Sequence, residues 1–433
     1  MKKIPIISYY YPPANFVGAE RIDSFANHLH KFGVYPIIVT RNWNPNQTNT
    51  YEKIHENSFK HNVYDTHEEY YMPYEQSWRD KLFQKKSFIF RIVRQLLTLW
   101  ELLFSAYFIR VLPYHNLCNQ ARAILGADKE IQVLIISGSP FESFHFGYLL
   151  KKEFTNIHWM PSYRDEWTAF KRYPSIDVSQ SFFFWYNSFF EKKFTSNASF
   201  FITVADYWVE SISNYIHKPG ILVANGIRNT ELEYHLPLYE KTSNEFTIAY
   251  SGSIYPNQSF EPLARLLKRL KLYYKDQISI VFNIYGLQKD SHIARQILND
   301  FSNTMCAVNI FSRIPMNELH AELLRADILY IAPYLNLNGF IPVKVYDYFE
   351  LGRPLFFFPS NGGEIEKFIT STNTGYAMAN EAEGYEILSH LIGCKIEGIP
   401  SHLVRNKEAS WFYSREHQVS ILAEKIKSLP PLS

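Results

Sequence analysis

Cysteine is scarce in this chain, with three in 433 residues, at Cys118, Cys306 and Cys394. They are far apart, odd in number and without metal-ligand spacing, which argues against a disulfide framework or a cysteine zinc site and fits a reducing compartment. Net charge is nearly absent too. With 44 Lys and Arg against 42 Asp and Glu, the formal charge of +2 argues against binding by general phosphate neutralisation, so no nucleic acid is expected as a partner. No apolar run reaches the ~18–20 residues that span a bilayer. The opening Met1–Ser8 has too short an apolar stretch for a signal peptide and reads as a first strand, so a cytoplasmic location is expected. Asp-x-Asp and His/Cys clusters are missing as well, and neither a metal nor another cofactor is expected. No repeat at solenoid periods is visible.

What the chain has in quantity is aromatic side chains, 17% of the total, and apolar runs that alternate with helical segments. That alternation predicts an α/β protein with parallel sheets. One series of strands is expected at 4–8, 35–40, 133–137, 158–162 and 200–204, and a second at 247–250, 279–285, 308–311, 327–332 and 355–359. Between them 220–226 reads as a short strand and turn, and 230–245 reads as a polar, proline-containing linker. The expected domains are 1–235 and 236–410, with a C-terminal helix over 411–433 that packs back on the first. A helical insertion is expected at about 75–115. Its apolar part, Leu96 to Ile109, lies within a helix over roughly 87–114 flanked by Arg79, Lys81, Lys85, Lys86, Arg91, Arg94 and Arg110. Such a helix suits an anionic membrane surface, here through about residues 79–110, with Phe88, Phe90, Trp100, Phe104, Tyr107 and Phe108 as anchors. The same stripe also suits a helix packed on a sheet.

In open parallel sheets, ligands bind beyond the carboxyl ends of strands, so the loops there hold the candidate residues. After the strand at 327–332, the run Gly339 to Pro354 reads as a loop, a helix and a tight turn. A helix N-terminus offers free N–H groups and a positive dipole end to an anion. Lys344 in the first turn is a cation where the dipole alone would not place one, which points to an anionic ligand. After strand one, Pro12-Pro13 predicts an extended segment, and Gly18-Ala19 lets a helix start approach a ligand. Ser137-Gly138-Ser139-Pro140, Arg164-Asp165-Glu166-Trp167, Tyr250-Ser251-Gly252-Ser253 and Tyr285-Gly286 follow further strands. His145, near a helix start, faces either a ligand or the core. Glu364 opens another helix and either binds a ligand or favours the dipole.

Taken in order, Tyr11-Pro12-Pro13 through Gly18-Ala19-Glu20-Arg21, Ser137-Gly138-Ser139-Pro140, Tyr163-Arg164-Asp165-Glu166-Trp167, Asn225-Gly226, Tyr250-Ser251-Gly252, and Ile341-Pro342-Val343-Lys344 through Asp347 to Gly352-Arg353-Pro354 resemble family 4 glycosyltransferases of the GT-B fold, in particular bacterial enzymes of capsule, exopolysaccharide or O-antigen synthesis. The resemblance implies two Rossmann-like domains facing across a cleft and a retaining transfer from a nucleotide-sugar donor to a glycan or polyprenyl-linked acceptor, at or near the inner face of the cytoplasmic membrane. The donor would be held by Gly18, Gly252, Ser253, Gly339, Ile341, Pro342, Lys344, Asp347 and Glu364. Asn15 and Arg21 would lie on the acceptor side, and Arg164, Asp165 and His145 near the chemistry. Family members carry two acids eight positions apart. Here the second is Asp347, expected on the ribose, while the first falls on Gly339. The Arg and Lys that commonly follow the first C-terminal glycine are replaced after Gly252 by neutral residues, so the diphosphate is assigned to Lys344. A hydrolase or epimerase of related fold, and a nucleotide-sugar-binding partner without catalysis, stay open.

Overall fold

Strands buried on both faces must be apolar along their whole length, and that pattern sets both sheets of this protein. The computed structural model describes residues 1–14, 17–43, 58–82, 85, 87–168, 178–228, 244–255, 258–334, 339, 341–399 and 403–432, without the side chains of 17 and 178–181. The chain forms two units, Met1–Asn225 with Arg415 onward, and Gly226–Ser414.

The first unit holds an eight-stranded sheet. Its strands are β1 (Lys2–Ser8), β2 (Val34–Arg41), β3 (Lys60–Val63), β4 (Glu68–Met72), β5 (Val133–Ser137), β6 (His158–Ser162), β7 (Phe201–Thr203) and β8 (Gly220–Leu222), in the spatial order β3-β4-β2-β1-β5-β6-β7-β8. All neighbours run parallel except β3 against β4. Every residue of β5 and β6 is buried, whereas β3 is largely exposed at the edge. The helix Arg415–Lys427 completes this unit. Val419, Leu422, Ala423 and Ile426 enter the core with Ile22, Phe25 and Leu29, and Arg415 Nη2 donates to Glu20 Oε2 at 2.6 Å. Residues 12–13 form a turn, closed by the Ala14 N–H donating to the Tyr11 carbonyl at 3.1 Å, where an extended run was expected.

The second unit holds six parallel strands: β9 (Glu245–Ser251), β10 (Ser279–Tyr285), β11 (Ala307–Phe311), β12 (Ile328–Ile331), β13 (Leu355–Phe357) and β14 (Gly375–Ala377). Their order is β11-β10-β9-β12-β13-β14. After β9 the chain builds outward through β10 and β11, then crosses to the other side of β9 for β12. Ile328 there pairs with Ile248. β9 and β12 therefore flank the point where the winding reverses, and the crevice beyond their carboxyl ends is where such a sheet holds a ligand. The linker expected at 230–245 lies mostly outside the described residues.

Candidate functional site

The loops at the β9/β12 reversal carry most of the residues read from the sequence. β9 ends at Ser251, and Gly252 follows with φ +99°, a conformation that a side chain would strain. The turn is closed by the Gly252 N–H donating to the Tyr285 carbonyl at 2.9 Å. Beyond it, Gln258 spans the crevice mouth. Its Nε2 donates to the Ala332 carbonyl at 3.2 Å, and its Oε1 accepts from Tyr255 N at 3.1 Å.

From the β12 side, buried Gly339 leads to Pro342, which precedes the helix Val343–Leu351 with φ −60° and ψ 147°. Proline just before a first turn removes no helical hydrogen bond, and Ile341 tucks against the apolar core below. One face of this helix is anchored in that core by Val345, Tyr346, Tyr348 and Phe349. Tyr348 also locks the helix to the strand end, because its hydroxyl accepts from Ser251 N at 2.6 Å.

Lys344 leaves the first turn of this helix towards β9. Its Nζ donates to the Tyr250 hydroxyl at 2.7 Å, stands 4.1 Å from the Tyr250 ring centroid, and would lie 3.5 Å from a Cβ at Gly252. The Tyr250 hydroxyl in turn donates a hydrogen bond to the Ser253 carbonyl at 3.0 Å. No carboxylate within ion-pair distance of Lys344 occurs among the described residues. Burial draws its pKa down to about 7. A buried lysine beside a helix N-terminus has the chemistry to pair with an anion.

Asp347 follows three positions later. Its Oδ1 lies 3.2 Å from Arg228 Nη2, and the Arg228 N–H donates to Glu350 Oε1 at 2.5 Å. Arg228 and Glu350 thus fix Asp347 in place. Glu364, at the start of the helix after β13, is paired with Lys367 at 2.6 Å.

In the first unit the outcome is mixed. Gly18 and Arg164 come together, since a Cβ on Gly18 would stand 2.8 Å from Arg164 Nη1. Arg164 in turn grips Asp165 through Nε and Nη2 at 2.9 and 2.8 Å. Arg21 is buried and ties two strand ends, donating from Nη1 to the Val223 carbonyl at 2.7 Å and lying 3.4 Å from Ser162 Oγ. His145 is buried as well. Its ring stacks on Phe194 at 4.4 Å, its Nδ1–H points to the Ser105 carbonyl at 3.3 Å, and burial lowers its pKa to about 4, so it stays neutral and packed. Asn15 lies outside the described residues.

Sequence reasoning passed over Tyr250, Tyr348, Gln258, Arg228 and Glu350 as individual contributors. The only sequence signal for Tyr250 and Arg228 was that each lies within two residues of a glycine, Gly252 or Gly226, at the end of a strand or turn. Among the described residues, no group of three or more His, Cys, Asp or Glu side chains is gathered for a metal.

No protein-family model matches the chain, and no curated protein matches it by sequence. Similarity to solved structures is nonetheless extensive. A trehalose-6-phosphate protein from E. coli bound with UDP-2-fluoro glucose is 11% identical, with all of both chains covered and a TM-score of 0.55. The α,α-trehalose 6-phosphate synthase of Burkholderia multivorans is 10% identical, with 99% of each chain covered and a TM-score of 0.56. HepE of Anabaena, in complex with UDP-glucose, is 11% identical over 99% of this chain and 100% of its own, at a TM-score of 0.50. At such identities the likeness speaks for the fold, and the two parallel-sheet units in this order have the GT-B fold of nucleotide-sugar glycosyltransferases.

Proposed function

We propose that the chain is a glycosyltransferase that takes its sugar from a nucleotide-sugar donor bound in the second unit, beyond the ends of β9 and β12. The observation that carries this reading is Lys344, a lysine turned onto Tyr250 at the sheet's reversal point with no carboxylate partner among the described residues. A diphosphate brings two or more negative charges to that place, where the N-terminus of the Val343–Leu351 helix adds its dipole. Asp347, one turn along the helix, is then set to accept hydroxyl hydrogen bonds from the ribose. Fold likeness to proteins bound with UDP-glucose or its fluoro analogue favours a uridine nucleotide for the first trial.

In the proposed reaction the bond from the anomeric carbon to the diphosphate oxygen breaks, and the acceptor hydroxyl forms the new bond on the same face of the sugar, giving its proton to the departing diphosphate oxygen. The nucleoside diphosphate leaves with the bonding electron pair. Lys344 and the helix N-terminus stabilise that charge as it develops. The acceptor is a glycan or a polyprenyl-linked sugar, as in bacterial surface-polysaccharide synthesis. Arg164 and Asp165 are assigned to the chemistry and Gly18 to the donor, as the resemblance implies.

A second reading, donor binding without transfer, draws on buried Gly339, which offers only backbone where an acid would hold the sugar. Turnover of UDP-sugars with and without a lipid-linked acceptor separates the two. Product that depends on acceptor supports transfer, and tight binding with no turnover supports the second reading. Lys344→Ala is expected to weaken donor binding by about 1.5–3 kcal/mol, the worth of a charge-assisted hydrogen bond, with an unchanged circular dichroism spectrum. Unaltered affinity by calorimetry would remove Lys344 from the site.

A further inference from the structure

A helix in a domain ordinarily turns its apolar stripe inward. The helix Phe88–Ser105 does not, since Ser105 is its one buried residue. At 100° per residue, Phe88, Ile92, Leu96, Leu99, Trp100 and Phe104 fall within about 160° of its circumference. Each of the six is between 39% and 72% exposed. Arg91, Arg94, Thr98 and Glu101 lie on the other side.

A second helix, in contact with the first, also carries exposed aromatics. On Val178–Thr195, Phe182, Trp185 and Phe189 are exposed at helical spacing, with Trp185 stacked on Phe189 at 6.2 Å. The adjoining side of this helix buries Tyr186, Phe190 and Phe194. The Tyr186 hydroxyl reaches the Leu102 and Leu103 carbonyls at 3.0 and 2.7 Å, and the Tyr107 ring meets Phe190 edge-on at 5.4 Å. The two helices are therefore fastened together while both keep large apolar side chains in solvent.

The charges beside them identify the occupant. Asp80 and Glu101 are the acids between residues 78 and 110, and both pair with Arg79. On the second helix Lys192 and Lys193 flank the exposed aromatics while its one acid, Glu191, is buried, and Lys81, Lys85 and Arg110 add basic charge at the ends of the first. A second copy meeting this face symmetrically would oppose cation to cation, whereas acidic headgroups complement it. Among the described residues no helix is long and apolar enough to cross a membrane, so the geometry is that of helices lying along a surface.

We propose that the Phe88–Ser105 and Val178–Thr195 helices form one docking face for an anionic lipid bilayer, with Trp100, Trp185 and Phe189 seated at headgroup depth. The test is flotation of the full chain with phosphatidylcholine vesicles, with and without phosphatidylglycerol. The expected result is binding to the phosphatidylglycerol vesicles that weakens with salt. Trp185→Ser with Phe189→Ser should lower the bound fraction about tenfold or more, and Lys192→Glu with Lys193→Glu should abolish the preference for phosphatidylglycerol. All four positions leave the core intact, and an unchanged melting temperature verifies that. No flotation of the unmodified chain, equal flotation of the Trp185/Phe189 variant, or self-association that hides the face from vesicles would each overturn the proposal.

Discussion

Burial strips water from the Lys344 amine and draws its pKa down to about 7, far below that of an exposed lysine. If a diphosphate binds there, the charged amine is the binding form. Above about pH 7 the free protein must then take up a proton as donor binds, and the dissociation constant should rise up to about tenfold per pH unit until the bound amine also titrates. Calorimetry in buffers of different ionisation enthalpy reads that uptake, and affinity flat across this range would contradict it. The sign for stability follows from the same shift. Between about pH 7 and the ordinary lysine pKa the unfolded chain holds more protons than the native one, so native stability rises with pH across that window. Lys344→Met removes the cost of the buried amine. It should raise stability near neutral pH by about 1–2 kcal/mol, discounted for partial exposure, while weakening donor binding. His145 lies at the opposite extreme, a histidine whose burial fixes it neutral and leaves it stacking and a single hydrogen bond.

At the scale of elements, the join between β9 and the Val343–Leu351 helix determines where Lys344 points. Tyr348→Phe would leave the Ser251 N–H without its hydroxyl acceptor in a buried position. The expected cost is about 1–3 kcal/mol in chemical denaturation, together with weaker donor binding as Lys344 loses its alignment. Both ends of this join were legible in the sequence. The apolar run of β12, the proline before the first turn and the glycine after β9 have local causes, and local causes leave local signatures. The phenol under the lysine was not legible, because Tyr250 and Lys344 are 94 positions apart and meet only once β12 lies beside β9. The β3/β4 hairpin escaped notice for a related reason. Lys60–Val63 is an exposed edge strand with no apolar alternation, held by its antiparallel partner. The helix Phe88–Ser105 was legible as amphipathic, yet which of its sides faces solvent depends on contacts that periodicity does not contain.

At the scale of the molecule, the chain order of strands was readable because parallel strands buried on both faces are nearly continuous apolar runs. The spatial order β11-β10-β9-β12-β13-β14, and hence the reversal that locates the candidate site, is a property of the folded sheet alone. The closure of the first unit by residues from Arg415 onward makes a further testable point. Leu422→Ala, at a fully buried position in that core, should cost about 2–5 kcal/mol and lower the melting transition of the first unit. Scanning calorimetry that leaves every transition in place would refute it. The same arrangement sets an order for synthesis. The second unit has all its strands once residue 414 has emerged from the ribosome, whereas the unit that was begun first still lacks Val419, Leu422 and Ile426. The half made earliest is finished last. A premature stop late in the message therefore damages the beginning of the protein and spares its middle.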